Sequence, residues 1–258
     1  MPFLVLLPLI AQAAAPEFAE PMNDEASRLF VCLEQARTDA SSAILTASQW
    51  LGESSGAERA FPQQCLGVAY TRLLRWQAAE EAFLTAHDLA LADDYAFRAK
   101  LAAMAGNAAI AQDQNIGALA DFDIALADAA RANDTKLAGD IQVDRARALV
   151  ALGELAEAET ALGLARRDSP QNAEGWLLSA TLSRRLGQLD RAQAQIVTAA
   201  GLDPLNPAIG LEAGLIAVLS DRDEAALKSW RSVVEIAPDA PEAQTARDYI
   251  AQLEGDQG

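Results

Sequence analysis

The sequence predicts an all-α protein assembled from repeated pairs of helices. Three observations lead to this fold class. The chain is rich in alanine and only 5% aromatic, a composition that favours helices over strands. Three prolines, Pro170, Pro204 and Pro238, are spaced 34 residues apart. Small and large side chains recur at fixed positions of each 34-residue unit, as closely packed helix pairs require.

The N-terminal residues have the pattern of a secretion signal. Residues 3–10 form an uncharged apolar run, and residues 11–15 are small except for one glutamine. The run is shorter than the roughly 20 residues of a membrane-spanning helix. We therefore expect residues 1–15 to be a signal peptide, residues 16–23 to be a linker, and the mature chain to be periplasmic or secreted without an integral membrane segment. The alternative is an apolar terminus that is not cleaved, because no Lys or Arg precedes the run.

The net charge and the residue composition narrow the range of possible functions. A formal net charge of −17 would be repelled by nucleic acid and by anionic membranes, so neither is expected as the main partner. The chain has one histidine and two cysteines, the residue types on which zinc sites depend. No nucleophile motif, phosphate-binding glycine loop or calcium loop is present in the sequence. We expect no metal, no cofactor and no catalysis.

Four side chains could be taken for catalytic or cation-binding groups. His87 has no partner motif nearby in the sequence, and we interpret it as a surface or half-buried side chain. Asp121, Asp123 and Asp128 fall within one predicted helix and lack the glycine turn of a calcium loop. The interpretation is therefore that they form a solvated acidic face.

The proline spacing defines three contiguous units that begin at residues 139, 173 and 207. Their eighth, twentieth and twenty-seventh positions carry small side chains, where two helices would cross closely. These are Ala146, Ala180, Gly214, Ala158, Ala192, Ala226, Ala165, Ala199 and Val233. The twenty-fourth position carries the large side chain that would fill the space, namely Leu162, Ile196 and Trp230.

Local signals agree with these boundaries. Gly153 and Gly187 stand just after the first helix of their units, where glycine can adopt the left-handed conformation that ends a helix. Asn172 and Asn206 precede the next first helix and can cap it, and Pro207 then takes the favoured first helical position. Each pair of helices is thus marked by its turns as well as by its period.

Two further units lie upstream. The unit from residue 60 carries Leu66, Gly67, Tyr70, Ala79, Phe83 and Ala86, and the unit from residue 99 carries Gly106, Ala118, Phe122 and Ala125. With these motifs, residues 60–240 resemble tetratricopeptide-repeat (TPR) proteins. The starts at residues 60, 99 and 139 are 39 and 40 apart. We expect the additional residues in the second helices or in the loops that follow them.

The resemblance implies a right-handed α–α superhelix of about five repeats. The repeats would span residues 60–93, 99–132, 139–172, 173–206 and 207–240. Residues 24–59 look like a degenerate N-terminal helical pair, with helices at 24–37 and 40–51, and residues 241–258 like a capping helix and tail. The alternative is an ordinary alanine-rich helical bundle.

The resemblance also implies a protein-interaction module without enzymatic activity. In such solenoids the first helices build a concave wall that binds a peptide or a partner protein. The family's groove positions select the polar residues Arg72, Lys100, Asn107, Arg147, Arg184 and Arg185. The same wall offers the apolar residues Leu177, Leu211, Leu215 and Val218.

The groove residues leave alternatives open. Arginines would suit an acidic segment or a carboxyl terminus, and we expect Arg184 and Arg185 to be exposed. One alternative is that they are ordinary solvated charges. Another is a partly apolar partner that binds the aliphatic residues of the same wall. A different function is a structural scaffold or an assembly subunit of a cell-envelope complex.

Cys32 and Cys65 form a candidate disulfide. They are the only two cysteines, they fall on first helices of adjacent units, and an exported protein meets an oxidising environment. The alternative is two buried free thiols that fill helix contacts.

Overall fold

The computed structural model describes residues 24–255, which fold into thirteen α-helices and one short 3-10 helix, Gly56–Arg59. The predicted signal peptide and linker, residues 1–23, lie outside the described residues, as do residues 256–258. The helices are α1 (Asp24–Thr38), α2 (Ala40–Glu53), α3 (Ala60–Arg72), α4 (Trp76–Leu89), α5 (Tyr95–Ile110), α6 (Asn115–Arg131), α7 (Thr135–Leu152), α8 (Leu155–Asp168), α9 (Ala173–Arg185), α10 (Leu189–Leu202), α11 (Pro207–Val218), α12 (Asp223–Ile236) and α13 (Pro241–Gly255).

Successive helices pack as antiparallel pairs, so the predicted all-α fold of repeated helical pairs is confirmed. Five pairs run from α3 to α12, α1 and α2 form another at the N-terminal end, and α13 packs on α12 and α11. The first helices of neighbouring pairs also touch, α5 with α7, α7 with α9, and α9 with α11. These first helices therefore line one wall of the solenoid.

The additional residues of the second and third pairs lengthen their first helices. Helices α5 and α7 begin four residues before the expected starts at residues 99 and 139. The carboxylates of Asp94 and Asp134 cap the earlier starts, because they accept hydrogen bonds from the backbone N–H of Phe97 (3.2 Å) and Leu137 (2.9 Å). The prediction that the additional residues lie in second helices and loops is therefore correct only in part.

The two helices of each pair meet where a small residue faces a large one. In α5 and α6, Gly106 lies against the Phe122 ring, and a Cβ added to Gly106 would come within 2.6 Å of that ring. The corresponding pairs are Gly67 with Phe83, Ala146 with Leu162, Ala180 with Ile196, and Gly214 with Trp230, and all ten side chains or glycines are buried. Glycine thus stands opposite an aromatic ring, and alanine opposite a smaller aliphatic side chain.

The turn inside each of the five pairs has the same backbone conformation. The predicted left-handed conformation of Gly153 (φ 81°) and Gly187 (φ 74°) is confirmed. Leu74, Asp113 and Asp221 occupy the equivalent position in the other three pairs, with φ of 57°, 59° and 56°. The predicted caps Asn172 and Asn206 also accept backbone hydrogen bonds at the starts of α9 and α11.

A disulfide joins the N-terminal pair to the first regular pair. Cys32 of α1 and Cys65 of α3 are bonded, with their Cα atoms 6.1 Å apart. Trp50 of α2 is buried beside them, and its indole N–H donates to the Glu25 carboxylate at 3.0 Å. None of the helices in the described part of the chain has the length and apolar character needed to span a bilayer.

Candidate binding site on the concave wall

The first helices α7 and α9 enclose an open, mainly apolar pocket of about 200 Å³. Its floor consists of buried side chains, Ala146, Leu162 and Leu182. The half-buried residues Val150, Leu178 and Thr181 and the arginines Arg147 and Arg185 complete the lining. The pocket therefore combines an apolar floor with two guanidinium groups.

Arg147 is held by acidic residues of the same wall. Its guanidinium forms ion pairs with Asp144 of α7 and Glu174 of α9. Asn107 of α5 donates to the other oxygen of the Asp144 carboxylate at 2.9 Å. These bonds form a polar chain across three first helices.

The titration of this polar chain follows from burial and from its charges. Burial raises the pKa of Asp144, and the hydrogen bonds from Asn107 and Arg147 oppose that shift only in part. Burial lowers the pKa of Arg147, but the hydrogen bond to Glu174 and the two neighbouring carboxylates raise the pKa more. Arg147 is therefore a fixed cation whose hydrogen bonds are largely used within the wall.

Arg184 and Arg185 lie in different environments. Arg184 is partly buried and donates two hydrogen bonds to the Glu212 carboxylate of α11, at 2.6 and 3.2 Å. The Arg184 side chain is only 21% exposed, so the expectation that Arg184 is exposed was wrong, and its partner Glu212 is buried. Arg185 is exposed as expected, and within residues 24–255 it forms no ion pair. Of the two arginines, Arg185 alone is free to meet a ligand.

The structure brings only two of the ten predicted groove residues into this pocket, Arg147 and Arg185. Arg72 and Lys100 are exposed on α3 and α5, outside its lining. Leu177 packs against the core beneath α9 and α11. The remaining aliphatic predictions, Leu211, Leu215 and Val218, pack against the cluster that includes the C-terminal helix α13.

The C-terminal helix reduces the open length of the wall. Leu215 and Val218 line a second cavity of about 250 Å³ together with Tyr249 and Leu253 of α13. Trp230 of α12 also lines this cavity. The part of the wall formed by α11 is thus partly covered by the chain itself, whereas the part between α7 and α9 is open.

Sequence reasoning missed Val150, Leu178 and Thr181. Val150 and Thr181 occupy the twelfth and ninth positions of their units, which belong to the same set of groove positions as the predicted arginines. The positional rule alone could have found these two residues. Leu178 follows the predicted Leu177 by one residue, and only the rotation of α9 shows which leucine faces the pocket.

A buried polar cluster lies between the second helices α4 and α6, away from this pocket. His87 and Asp128 are 7% and 2% exposed, and the His87 Nε2 and Asp128 Oδ2 atoms are 2.9 Å apart. Asp121 is also only 7% exposed. The interpretation of Asp121 and Asp128 as a solvated face, and of His87 as a surface or half-buried group, was therefore wrong. Asp123 is exposed as expected and pairs with Arg145 at 3.2 Å.

The environment of Asp121 perturbs its titration. Burial, reinforced by the nearby Glu80 carboxylate and opposed by His87, raises the pKa of Asp121 to about 6. Across the described residues, no three His, Cys, Asp or Glu side chains are grouped so that they could hold a metal ion.

Comparison with solved structures identifies the class of fold. PilW, a widely conserved type IV pilus biogenesis factor, matches with a TM-score of 0.70 and 18% identity over 87% of this chain and 99% of that chain. The pilF protein of Pseudomonas aeruginosa matches with a TM-score of 0.67 and 15% identity over 87% and 97% of the two chains. YrrB, a TPR protein with an unusual peptide-binding site, gives 0.50 and 21% over 78% and 97%.

No protein-family model matches the chain, and no curated protein matches its sequence. The structural matches define the fold: the chain is a TPR-type solenoid, a right-handed superhelix of α–α pairs.

Proposed function

We propose that this protein is an exported binding module that holds a peptide or a segment of a partner protein on its concave wall. The observation that carries the proposal is the open apolar pocket between α7 and α9, with Arg185 unpaired beside it. An apolar cavity open to solvent on an otherwise well-packed protein is a typical binding feature. The similarity to YrrB, a TPR protein with an unusual peptide-binding site, supports the same use of this fold.

The proposed contact surface extends along the first helices on both sides of the pocket. Asn107 and Arg147 would help to hold the wall in shape through their bonds to Asp144 and Glu174. Lys100 and Arg72 continue the wall towards the N-terminal end and would add weaker, salt-dependent contacts, because both are exposed.

Location in the cell envelope is supported by three separate observations. The apolar N-terminal segment has the pattern of a signal peptide. The Cys32–Cys65 disulfide is typical of an oxidising compartment. The similarity to PilW, a pilus biogenesis factor, covers 87% of this chain and 99% of that chain.

A second candidate function is an assembly subunit of an envelope complex. The same similarity to PilW favours it, since PilW is a biogenesis factor of the type IV pilus. In that case the wall would be occupied permanently rather than reversibly.

Affinity capture from gently solubilised cell envelopes, without crosslinking, would separate the two functions. The baits are the wild-type protein, a wall variant carrying Arg185→Glu, and a control variant carrying Lys228→Glu, which reverses an exposed charge on the second helix α12. If the protein is a binding module, we expect a partner that the wild-type and control baits capture and that the Arg185→Glu bait does not. Salt should release this partner from the wild-type bait. A partner kept equally by all three baits would contradict the proposal, and co-elution of one stable complex in high salt would favour the assembly subunit.

A further inference from the structure

We infer that the pocket between α7 and α9 takes one aromatic or branched apolar side chain from an extended partner segment in which the residue two positions away is Asp or Glu. This inference rests on the proposed function and specifies the chemistry of the segment that the wall would recognise.

The size and lining of the pocket select the apolar side chain. An apolar protein cavity of roughly 150 Å³ is large enough to bind benzene. The present pocket, at about 200 Å³, therefore has room for one aromatic ring or one branched aliphatic side chain. Its floor residues Ala146, Leu162 and Leu182 offer no polar group to a ligand, so a charged or amide group buried against the floor would lose its hydration without compensation.

The charges around the pocket select a second residue of the partner segment. Arg185 is exposed, lines the pocket and has no ion-pair partner among the residues that the structure describes. Arg147, the other cation of the lining, stays charged beside Asp144 and Glu174. A basic side chain from a ligand would be repelled by Arg185, whereas a carboxylate would gain a charge-assisted hydrogen bond.

The spacing of an extended peptide fits both contacts at once. An extended chain advances about 3.3 to 3.6 Å per residue and its side chains alternate between two faces, so the side chain two residues from the one in the pocket points to the same wall, at the pocket rim. Arg185 has a long side chain that can reach this position. Because only one guanidinium is unpaired, the site fits the single carboxylate of an Asp or Glu side chain within a continuing segment.

Selection from a random peptide library tests the inference without knowledge of the natural partner. The library consists of 12-residue peptides displayed between glycine–serine spacers, so that no free carboxyl terminus is offered, and the bait is the full chain. The best peptide is then synthesised with an amidated C-terminus, and its Kd is measured by fluorescence anisotropy. We expect the selected peptides to share an apolar residue with Asp or Glu two positions away.

Two pairs of variants locate the binding site. Arg185→Glu removes the cation, with Lys228→Glu as its control, and Thr181→Phe fills the pocket, with Thr198→Phe on the second helix α10 as its control. We expect the two pocket variants to weaken binding about tenfold or more, as for the loss of a hydrogen bond to a charged group, and the controls to leave it unchanged. Changing the acidic residue of the peptide to its amide should remove the difference between wild type and Arg185→Glu.

Several results would overturn the inference. Selected peptides without an acidic residue, or equal affinity for wild type and Arg185→Glu, would each do so. A library that yields no peptide would also reject it, while partner capture that depends on Arg185 would leave the proposed function standing. Melting curves show whether the Thr181→Phe variant is folded. If that variant is unfolded, the affinity of the Arg185→Glu variant alone tests the inference, because Arg185 is exposed and its substitution should not disturb the fold.

Discussion

At the scale of single residues, the contact between the eighth position of a first helix and the twenty-fourth position of its second helix governs how each pair packs. Gly106 and Phe122 illustrate it, because a Cβ on Gly106 would lie 2.6 Å from the Phe122 ring. Gly106→Ala should therefore destabilise the protein by about 1 to 3 kcal/mol, although alanine is the better helix former. Urea denaturation measures the change in the free energy of unfolding.

Two further variants test whether the cause is overpacking. Gly163 of α8 faces open space, so Gly163→Ala should stabilise the protein by about 1 kcal/mol through helix propensity alone. Adding Phe122→Leu to Gly106→Ala recreates the alanine–leucine pair that Ala146 and Leu162 form in the next unit, and should recover part of the loss. Equal stabilisation by the two glycine substitutions would show that Gly106 is not in a close contact.

Asp121 makes stability depend on pH. The pKa of Asp121 is about 6 in the native protein, above its ordinary value of 3.8, so the native state binds this proton more tightly than the unfolded chain does. The contribution of Asp121 to stability is therefore greatest below about pH 4 and is lost as pH rises through about 6. Asp121→Asn should stabilise the protein on the order of 1 to 3 kcal/mol at pH 8 and much less at pH 4.

Denaturant unfolding of wild type and Asp121→Asn at the two pH values measures this difference. Asp123→Asn is the matched control on the same helix, because Asp123 is exposed and reaches solvent in both states. A stability gain from Asp121→Asn that is the same at pH 4 and pH 8 would mean that Asp121 is not desolvated as the structure indicates.

Individual buried residues were predictable where the repeat fixes their position. The small and large positions follow from the period, and every one of them in the three regular units is buried. The buried pair of His87 and Asp128 was not predictable, because 41 residues separate them and their contact depends on how α4 packs beside α6. Sequence patterns identify the face of a helix more readily than the partner across a polar contact.

At the scale of elements, the turn within each pair requires one residue in the left-handed conformation. Glycine fills it in only two of the five pairs, and Leu74, a poor residue for this conformation, has φ of 57°. Leu74→Gly should stabilise the protein by about 0.5 to 1 kcal/mol. Leu73→Gly is the control, because Leu73 has an ordinary φ of −93° and glycine at this position should destabilise the protein. Thermal melts that show the opposite order would contradict the turn geometry.

The disulfide is the other feature at this scale, and it connects an end element to the regular solenoid. Cys32 and Cys65 are separated by 33 residues, for which the chain-entropy model gives about 3 to 4 kcal/mol of stabilisation. Replacing both cysteines with serine should therefore lower the free energy of unfolding by about that amount. Alkylation of the denatured, unreduced protein provides a direct check by mass spectrometry, because a closed disulfide leaves no thiol to label. Two labelled thiols would show that the bond is not formed.

Helix boundaries could be predicted where the capping and turn residues are evident in the local sequence. Helices α9 and α11 begin at the residues expected from Asn172 and Asn206. Helices α5 and α7 begin earlier because Asp94 and Asp134 cap them, and counting from the later repeats concealed those caps. The period thus located the pairs, while capping chemistry set their ends.

At the scale of the whole molecule, the order of helical pairs was predictable because each pair buries its apolar face mainly against its neighbours. The open pocket was not, since it depends on the relative rotation of α7 and α9 and on which charges pair across units. Arg184 shows the difficulty: its position in the repeat matches a groove site, yet Glu212 from the next first helix engages it. The available part of the wall is what remains after such contacts and after α13 covers part of α11.

Binding of partners to the concave wall is tested most directly by site-specific photo-crosslinking in living cells. Ala151 is exposed at a groove position of α7, beside the pocket residue Val150, and Ala194 is exposed on the second helix α10. Each is replaced in turn by p-benzoylphenylalanine, and the cells are irradiated. We predict a discrete adduct from position 151 that disappears when Arg185→Glu is added, and none from position 194. An adduct from position 194 alone, or one from position 151 that is unaffected by Arg185→Glu, would contradict binding at the wall.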